Sequence, residues 1–176
     1  TESSEIFEVS RDTGAMILLV EGHYFDELWG LAPHPTDPNI YITSGDDSTI
    51  RMWSLKPHRL LRKCILDCPS RAITWSPDGQ YIAVGLGGSS KGVRQKKDGA
   101  FIILESATFK VIYEGRDSRH WIRDIKFSPN GSALALASND NKIYIYNQDS
   151  YSLRCKIDKH SNFVRAIDWS EDSAYM

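Results

Sequence analysis

Trp75–Gly85 reads WSPDGQYIAVG, and Phe127–Ala137 reads FSPNGSALALA. Each is an aromatic residue and a serine, then a turn of Pro, Asp or Asn, and Gly, then a run of strand-forming residues. Outward from these, WSEDSAYM at Trp169–Met176 begins another copy, and PHPTDPNIYIT at Pro33–Thr43 is a degenerate one. The aligned turn positions are Pro35, Pro77, Pro129 and Glu171, at spacings of 42, 52 and 42 residues. A second register runs through Asp47, Asp98 and Asp140, each followed six residues later by Trp53, Leu104 or Tyr146. His160 lies fourteen residues after Tyr146, and His23 fourteen after Val9, so IFEVSRDTGAMILLVEGH (Ile6–His23) reads as the tail of an earlier copy.

Each unit carries four strand-like segments. They are LWGLA, IYITS, TIRMWSL and RLLRKCIL in the second unit, and RAITW, QYIAVG, AFIILES and FKVIYEG in the third. In the fourth they are WIRDIKF, ALALAS, KIYIYNQ and SLRCKID. All are short, rich in β-branched and aromatic residues, and punctuated by Gly, Asp, Asn and Pro. No stretch of twelve residues has a helical stripe, so the chain is expected to be nearly all-β. Four strands in a period near 42 residues is the sign of a β-propeller, each four-stranded sheet being one blade. Both faces of a blade pack on neighbours, which accounts for strands more uniformly apolar than a half-solvated sheet needs. A closed β-sandwich is the alternative architecture, and it would not require the echo. The expected division is 1–23, the tail of a first blade; 24–68, a second; 69–116, a third with an inserted loop at 85–98; 117–160, a fourth; and 161–176, the start of a fifth. That is an all-β propeller fragment of about four blades in an open arc, expected to be a piece of a longer protein. An open arc exposes two apolar blade faces.

The 176 residues are 41% hydrophobic and 25% charged, a globular composition long enough to bury a core. A net charge of -2 gives no overall basic field for nucleic acid. No apolar run is long enough for a membrane span, and the polar, acidic N-terminus is no signal peptide. The three cysteines, Cys64, Cys68 and Cys155, fit no disulfide framework and read as cytosolic thiols. With His58, Cys64 and Cys68 still lack the fourth ligand of a structural zinc site, so no metal is expected.

EGH ending at His23, with TSGDDSTIRMWS at Thr43–Ser54, resembles the WD-repeat signature. Trp53-Ser54 and Tyr146-Asn147 stand where that family has Trp-Asp. The resemblance implies a buried hydrogen-bonded chain of His23, Thr43 (or Ser44), Asp47 and Trp53, whose role is to fix the blade's shape rather than to catalyse. Four longer stretches carry a more specific likeness: FDELWGLAPHP (Phe25–Pro35), SRAITWSPDGQYIAVGLGGSSKG (Ser70–Gly92), SRHWIRDIKFSPNGSALALASNDNKIYIYN (Ser118–Asn147) and HSNFVRAIDWSEDSAYM (His160–Met176). They resemble the echinoderm microtubule-associated protein-like family. That resemblance implies tandem propellers, binding of tubulin and microtubules, and a cytoplasmic, cytoskeleton-associated location. The family's propeller-starting hydrophobic motif and its coiled coil are absent from this stretch.

GLGGSSKGVRQKKDGAF (Gly85–Phe101) accounts for the ten extra residues of the middle spacing. It is no phosphate loop, because Lys91 is not followed by Ser or Thr and a strand comes next. Ser90 stands where a dinucleotide fold needs its third glycine. No cofactor is expected. The loop reads as a hairpin insertion on the face that in WD-repeat propellers meets partners. Lys91, Arg94, Lys96 and Lys97 are candidate partner contacts, suited to acidic tubulin surfaces, and the alternative reading is a merely solvated loop. In DSRHWIR, Arg119 and Trp121 are further candidates, since an aromatic beside arginine suits a protein contact. The five histidines are scattered, with no HExxH and no Gly-x-Ser-x-Gly elbow, so no enzyme is expected. The expected function is a non-catalytic WD-repeat scaffold segment binding tubulin or microtubules. The alternative is a generic WD-repeat interaction module for another protein partner.

Overall fold

Strands with two apolar faces need cover on both sides, and the computed structural model supplies it by stacking sheets. It describes residues 5–23, 28–88 and 97–176. The strands are β1 (Glu5–Val9), β2 (Met16–Glu21), β3 (Leu28–Pro33), β4 (Ile40–Gly45), β5 (Thr49–Ser54), β6 (Arg59–Ile65), β7 (Ser70–Trp75), β8 (Tyr81–Leu86), β9 (Ala100–Glu105), β10 (Val111–Arg116), β11 (Ile122–Phe127), β12 (Ala133–Ser138), β13 (Ile143–Asn147) and β14 (Leu153–Ile157). They form a β1–β2 hairpin and three four-stranded meanders, β3 to β6, β7 to β10 and β11 to β14. No α-helix occurs among the described residues. The molecule is an all-β WD-type propeller fragment with an open arrangement of sheets.

The period-2 alternation of each strand divides its residues between two seams. Ile82, Val84 and Leu86 of β8, with Trp75 of β7 and Ala100, Ile102 and Leu104 of β9, face Ile42 and Ile50 in the seam toward the preceding sheet. Their sequence neighbours Ala83, Phe101 and Ile103 face Ile122, Ile125, Leu134 and Leu136 in the seam toward the following sheet. A third, smaller seam sets Ala135, Ala137 and Ile143 against Val164, Ile167 and Trp169. Trp75 and Trp169 each reach back 43 residues, donating their indole N–H to the carbonyls of Ala32 and Lys126 in the preceding sheet. At the other end of the arc, Leu28, Trp29 and Leu31 of β3 remain exposed.

The repeated turn has a repeated physical cause. Ser76, Ser128 and Ser170 each donate a side-chain hydrogen bond two residues on, to Asp78, Asn130 and Asp172. Each also accepts a backbone N–H five residues on, from Tyr81, Ala133 and Tyr175. The turn then needs positive φ, taken by Gly79 and Gly131 at 71° and by Ser173 at 58°. Glycine meets that demand without steric cost.

One boundary differs from the sequence reading. Gly85 and Leu86, expected in the inserted loop, belong to β8, because Leu86 pairs with Ser70 and is buried. The strand ends at Leu86, and the next residue, Gly87, donates its N–H to the Pro69 carbonyl.

Candidate functional site

His23, Thr43, Asp47 and Trp53 meet on the face of the first four-stranded sheet away from the apolar seam. The Trp53 indole donates to Thr43 Oγ1 at 2.8 Å, and Thr43 lies 2.8 Å from His23 Nε2. His23 Nδ1 is 2.8 Å from Asp47 Oδ2. The indole has only a donor to offer, so the Thr43 hydroxyl donates onward to Nε2, and Nδ1–H donates to the carboxylate. Arg51, fully buried, closes the far side by donating to Asp47 Oδ2 and to Thr49. Burial works against the Asp47 carboxylate, but hydrogen bonds from His23 and Thr49 outweigh it and hold its pKa below the ordinary 3.8. Thr43 rather than Ser44 is the bridging hydroxyl, and Ser44 Oγ is left without a partner.

The last four-stranded sheet solves the same problem with other residues. Asp140 accepts hydrogen bonds from Tyr144 and Ser118, while Ser118 and Ser138 lie 2.6 Å apart. The Tyr146 hydroxyl donates to Asp117. Burial and these carboxylates push both tyrosine pKa values up. Sequence spacing marked Asp140 and Tyr146 as repeat positions but not Ser118 or Tyr144, because hydroxyl partners carry no spacing signature.

A second arrangement lies at the end of the sheets where β3, β7 and β11 begin. Each of these strands has a bulge at one equivalent point, between Leu28 and Gly30, between Ser70 and Ala72, and between Ile122 and Asp124. The residues thrown out of register are Trp29, Arg71 and Arg123, and a bulge re-aims its side chain. They line up. The Arg71 guanidinium lies over the Trp29 ring at 4.5 Å and the Trp121 ring at 5.4 Å. Arg123 lies over Trp121 at 5.7 Å and Phe163 at 5.5 Å. The result is a row of alternating aromatic rings and cations across the sheets. Arg71 also forks Asp46, Nε to Oδ1 at 2.9 Å and Nη2 to Oδ2 at 2.8 Å, while the Trp29 indole donates to the same carboxylate. Arg123 instead donates to the Asn139 amide oxygen at 2.6 Å. Burial, with Arg71 and Arg165 close by, pulls the Arg123 pKa down.

Of the residues singled out as partner contacts, Trp121 is in this row, half-buried, with its indole N–H buried and unpartnered. Arg119 is exposed, makes none of the ring contacts of the row, and is held through its backbone N–H to Asp140. Lys97 pairs with Glu114 of β10 in its own sheet. Lys91, Arg94 and Lys96 lie outside the described residues. The stems of the insertion are fastened beside the row: Gly88 N–H donates to Asp98, and Gly99 N–H to the Leu86 carbonyl. A side chain at Gly87 would run into Trp121. Sequence reasoning missed Arg71, Arg123 and Trp29 as a set. The available signal was their spacing, 42 residues to Arg71 and 52 to Arg123, the same as that of the turns.

The cysteines are free, Cys68 buried and Cys155 exposed. Among the described residues no group of three or more His, Cys, Asp or Glu is placed to hold a metal ion, and no helix is long and apolar enough to cross a membrane.

Comparison with known proteins bears on this geometry. Residues 28–176 match the family described as the echinoderm microtubule-associated protein second beta-propeller. Echinoderm microtubule-associated protein-like 2 of Homo sapiens is 33% identical over 178 residues, covering 99% of this chain and 25% of its own length. The 77 kDa echinoderm microtubule-associated protein of Strongylocentrotus purpuratus is 33% identical over 164 residues, covering 91% and 22%. The ciliary WD repeat-containing protein ctxp80 of Euplotoides octocarinatus is 34% identical over 171 residues, covering 90% and 24%. The chain thus spans about a quarter of the length of these relatives. Among solved structures, that of U3-55K superimposes with a TM-score of 0.70 over 82% of this chain and 43% of the other, at 18% identity, a likeness of fold alone.

Proposed function

Because the chain belongs to the echinoderm microtubule-associated protein family, as part of its second β-propeller, we propose that it is a non-catalytic scaffold segment that docks on tubulin or microtubules. The docking end is the one where β3, β7 and β11 begin. There the aromatic–arginine row lies beside Gly88 and Asp98, the residues that tie the two ends of the insertion, and the working location is the cytoskeleton. The observation that carries the reading is the match over residues 28–176 to a propeller of microtubule-associated proteins. Exposed aromatics beside arginine, the composition favoured in protein contacts, support the choice of end. The depressed carboxylates Asp47 and Asp140 and the raised tyrosines Tyr144 and Tyr146 are held in hydrogen-bonded networks that bridge strands, which supports a scaffold.

Co-pelleting of the folded chain with microtubules across a salt series tests this. Saturable pelleting that partly survives salt is expected, because shape-matched docking outlasts screening of exposed charge. A variant with Lys91, Arg94, Lys96 and Lys97 changed to Ser is expected to pellet more weakly. Absence of pelleting by the folded chain would reject the reading in favour of a different protein partner.

A further inference from the structure

The three bulged strands provide an internal template. By strand pairing, Leu28, Ser70 and Ile122 oppose Gly45, Leu86 and Ser138, so Asp46, Gly87 and Asn139 follow at equivalent points of the three sheets. Arg71 reaches to that point of the preceding sheet and finds the Asp46 carboxylate, which it forks with two bonds. One sheet further on, Arg123 has Gly87 at the corresponding point, where Trp121 packs so closely that no side chain fits. The segment that follows, residues 89–96, reads SSKGVRQK and contains no Asp or Glu. Arg123 therefore rests on the neutral Asn139 amide. Arg165 occupies the next repeat position, is exposed, and has Asn139 at its corresponding point, already taken by Arg123. Among the described residues neither Arg123 nor Arg165 makes an ion pair. The repeat thus builds the same cationic position three times and supplies a carboxylate at only the first.

We propose that the row from Arg71 through Trp121, Arg123 and Phe163 to Arg165 is a binding site for an acidic peptide, whose Glu or Asp side chains take on Arg123 and Arg165 the place that Asp46 takes on Arg71. A carboxylate is chosen over a phosphate because the occupied copy holds a carboxylate in the two-bond geometry that a guanidinium favours. A peptide is chosen because the half-exposed rings of Trp29 and Phe163 flank the cations with apolar surface that a backbone and side-chain stems can cover. Burial and the nearby Arg71 and Arg165 disfavour the charge on Arg123, and an incoming anion offsets that repulsion. The site stands on the arginine row and not on the microtubule reading, so peptide binding can hold where co-pelleting fails.

The test is a calorimetric titration of the chain with a synthetic Gly-Glu repeat peptide and its Gly-Gln counterpart. The glutamate peptide is expected to bind, and the glutamine peptide at least about tenfold more weakly. Asn139→Asp is the decisive variant. It is isosteric and places an internal carboxylate 2.6 Å from Arg123 Nε, so it should keep the fold and weaken the peptide by about tenfold. Arg123→Gln should do the same by removing the cation, while Lys110→Gln, an equal loss of charge in the β9–β10 turn, should leave binding unchanged. No binding by the folded parent, equal binding of the two peptides, or parental affinity in both Asn139→Asp and Arg123→Gln would overturn the proposal. Displacement of the peptide by inorganic phosphate at matched ionic strength would overturn the choice of a carboxylate.

Discussion

Thr43 is a single hydroxyl on which two other groups depend. It accepts from Trp53 and donates to His23. Thr43→Val keeps the shape, orphans both partners, and is expected to cost about 2–3 kcal/mol in urea unfolding. A cost under about 0.5 kcal/mol would mean the chain of bonds is incidental. Asp47, whose pKa is depressed by the same network, adds stability that is present above the ordinary carboxylate pKa and lost as pH falls through its folded value. The stability gap between the parent and Asp47→Asn should therefore shrink below about pH 4, which unfolding curves at several pH values would show. Cys68 shifts the other way: burial in the apolar seam pushes its thiol up to about 11. Iodoacetamide at neutral pH is expected to label exposed Cys155 in the native chain and Cys68 only after denaturation, as mass spectrometry would read. His23, Thr43 (or Ser44), Asp47 and Trp53 were legible through the WD-repeat resemblance, and His23, Asp47 and Trp53 also stood at repeated offsets. Arg51 was not, since a buried arginine in a strand looks in sequence like a solvated one.

At the scale of elements, the turns were legible because Ser-Pro-Asp-Gly carries its own hydrogen bonds and its own positive φ. The bulges were not. A bulge is set by what the strand must pack against, and alternation such as SRAITW at Ser70–Trp75 reads the same with or without it. Trp121 reads as a candidate contact beside Arg119, but its alignment with Trp29, Arg71 and Arg123 in one row was not legible. The limit of β8 was misjudged for a related reason: Gly85 and Leu86 look like the opening of a glycine-rich loop. Gly85 is glycine because β11 lies against it; a Cβ there would sit 2.5 Å from Ile122 Cγ2. Gly85→Ala should force the two sheets apart and cost about 1–3 kcal/mol in thermal or urea unfolding. An unchanged midpoint would show that the sheets can slide past each other freely.

At the scale of the molecule, the period told most of the story, since two-faced apolar strands every 42 residues have few other solutions. The seams themselves are unequal. The two between complete sheets each bury more than ten hydrophobic residues, whereas the third buries five. Stacked repeats are held mainly by neighbour contacts, so their parts open with different free energies. Hydrogen exchange should be slowest in β8 and β9, which are buried on both faces, and fastest in 158–176. Uniform protection along the chain would instead indicate a single cooperative unit.

The fastened stems of the insertion have a practical consequence for protein engineering. With Gly88 tied to Asp98 and Gly99 to Leu86, the entropy of bringing the two ends together is met by the flanking sheet, whatever the span between them. The cost of a longer span then grows only logarithmically, about 0.6 kcal/mol for each doubling. For a chain meant for stability work rather than docking, the sequence between Gly88 and Lys97 is thus the place to graft a fluorophore tag or affinity epitope, because the hydrogen bonds that close it lie in the stems.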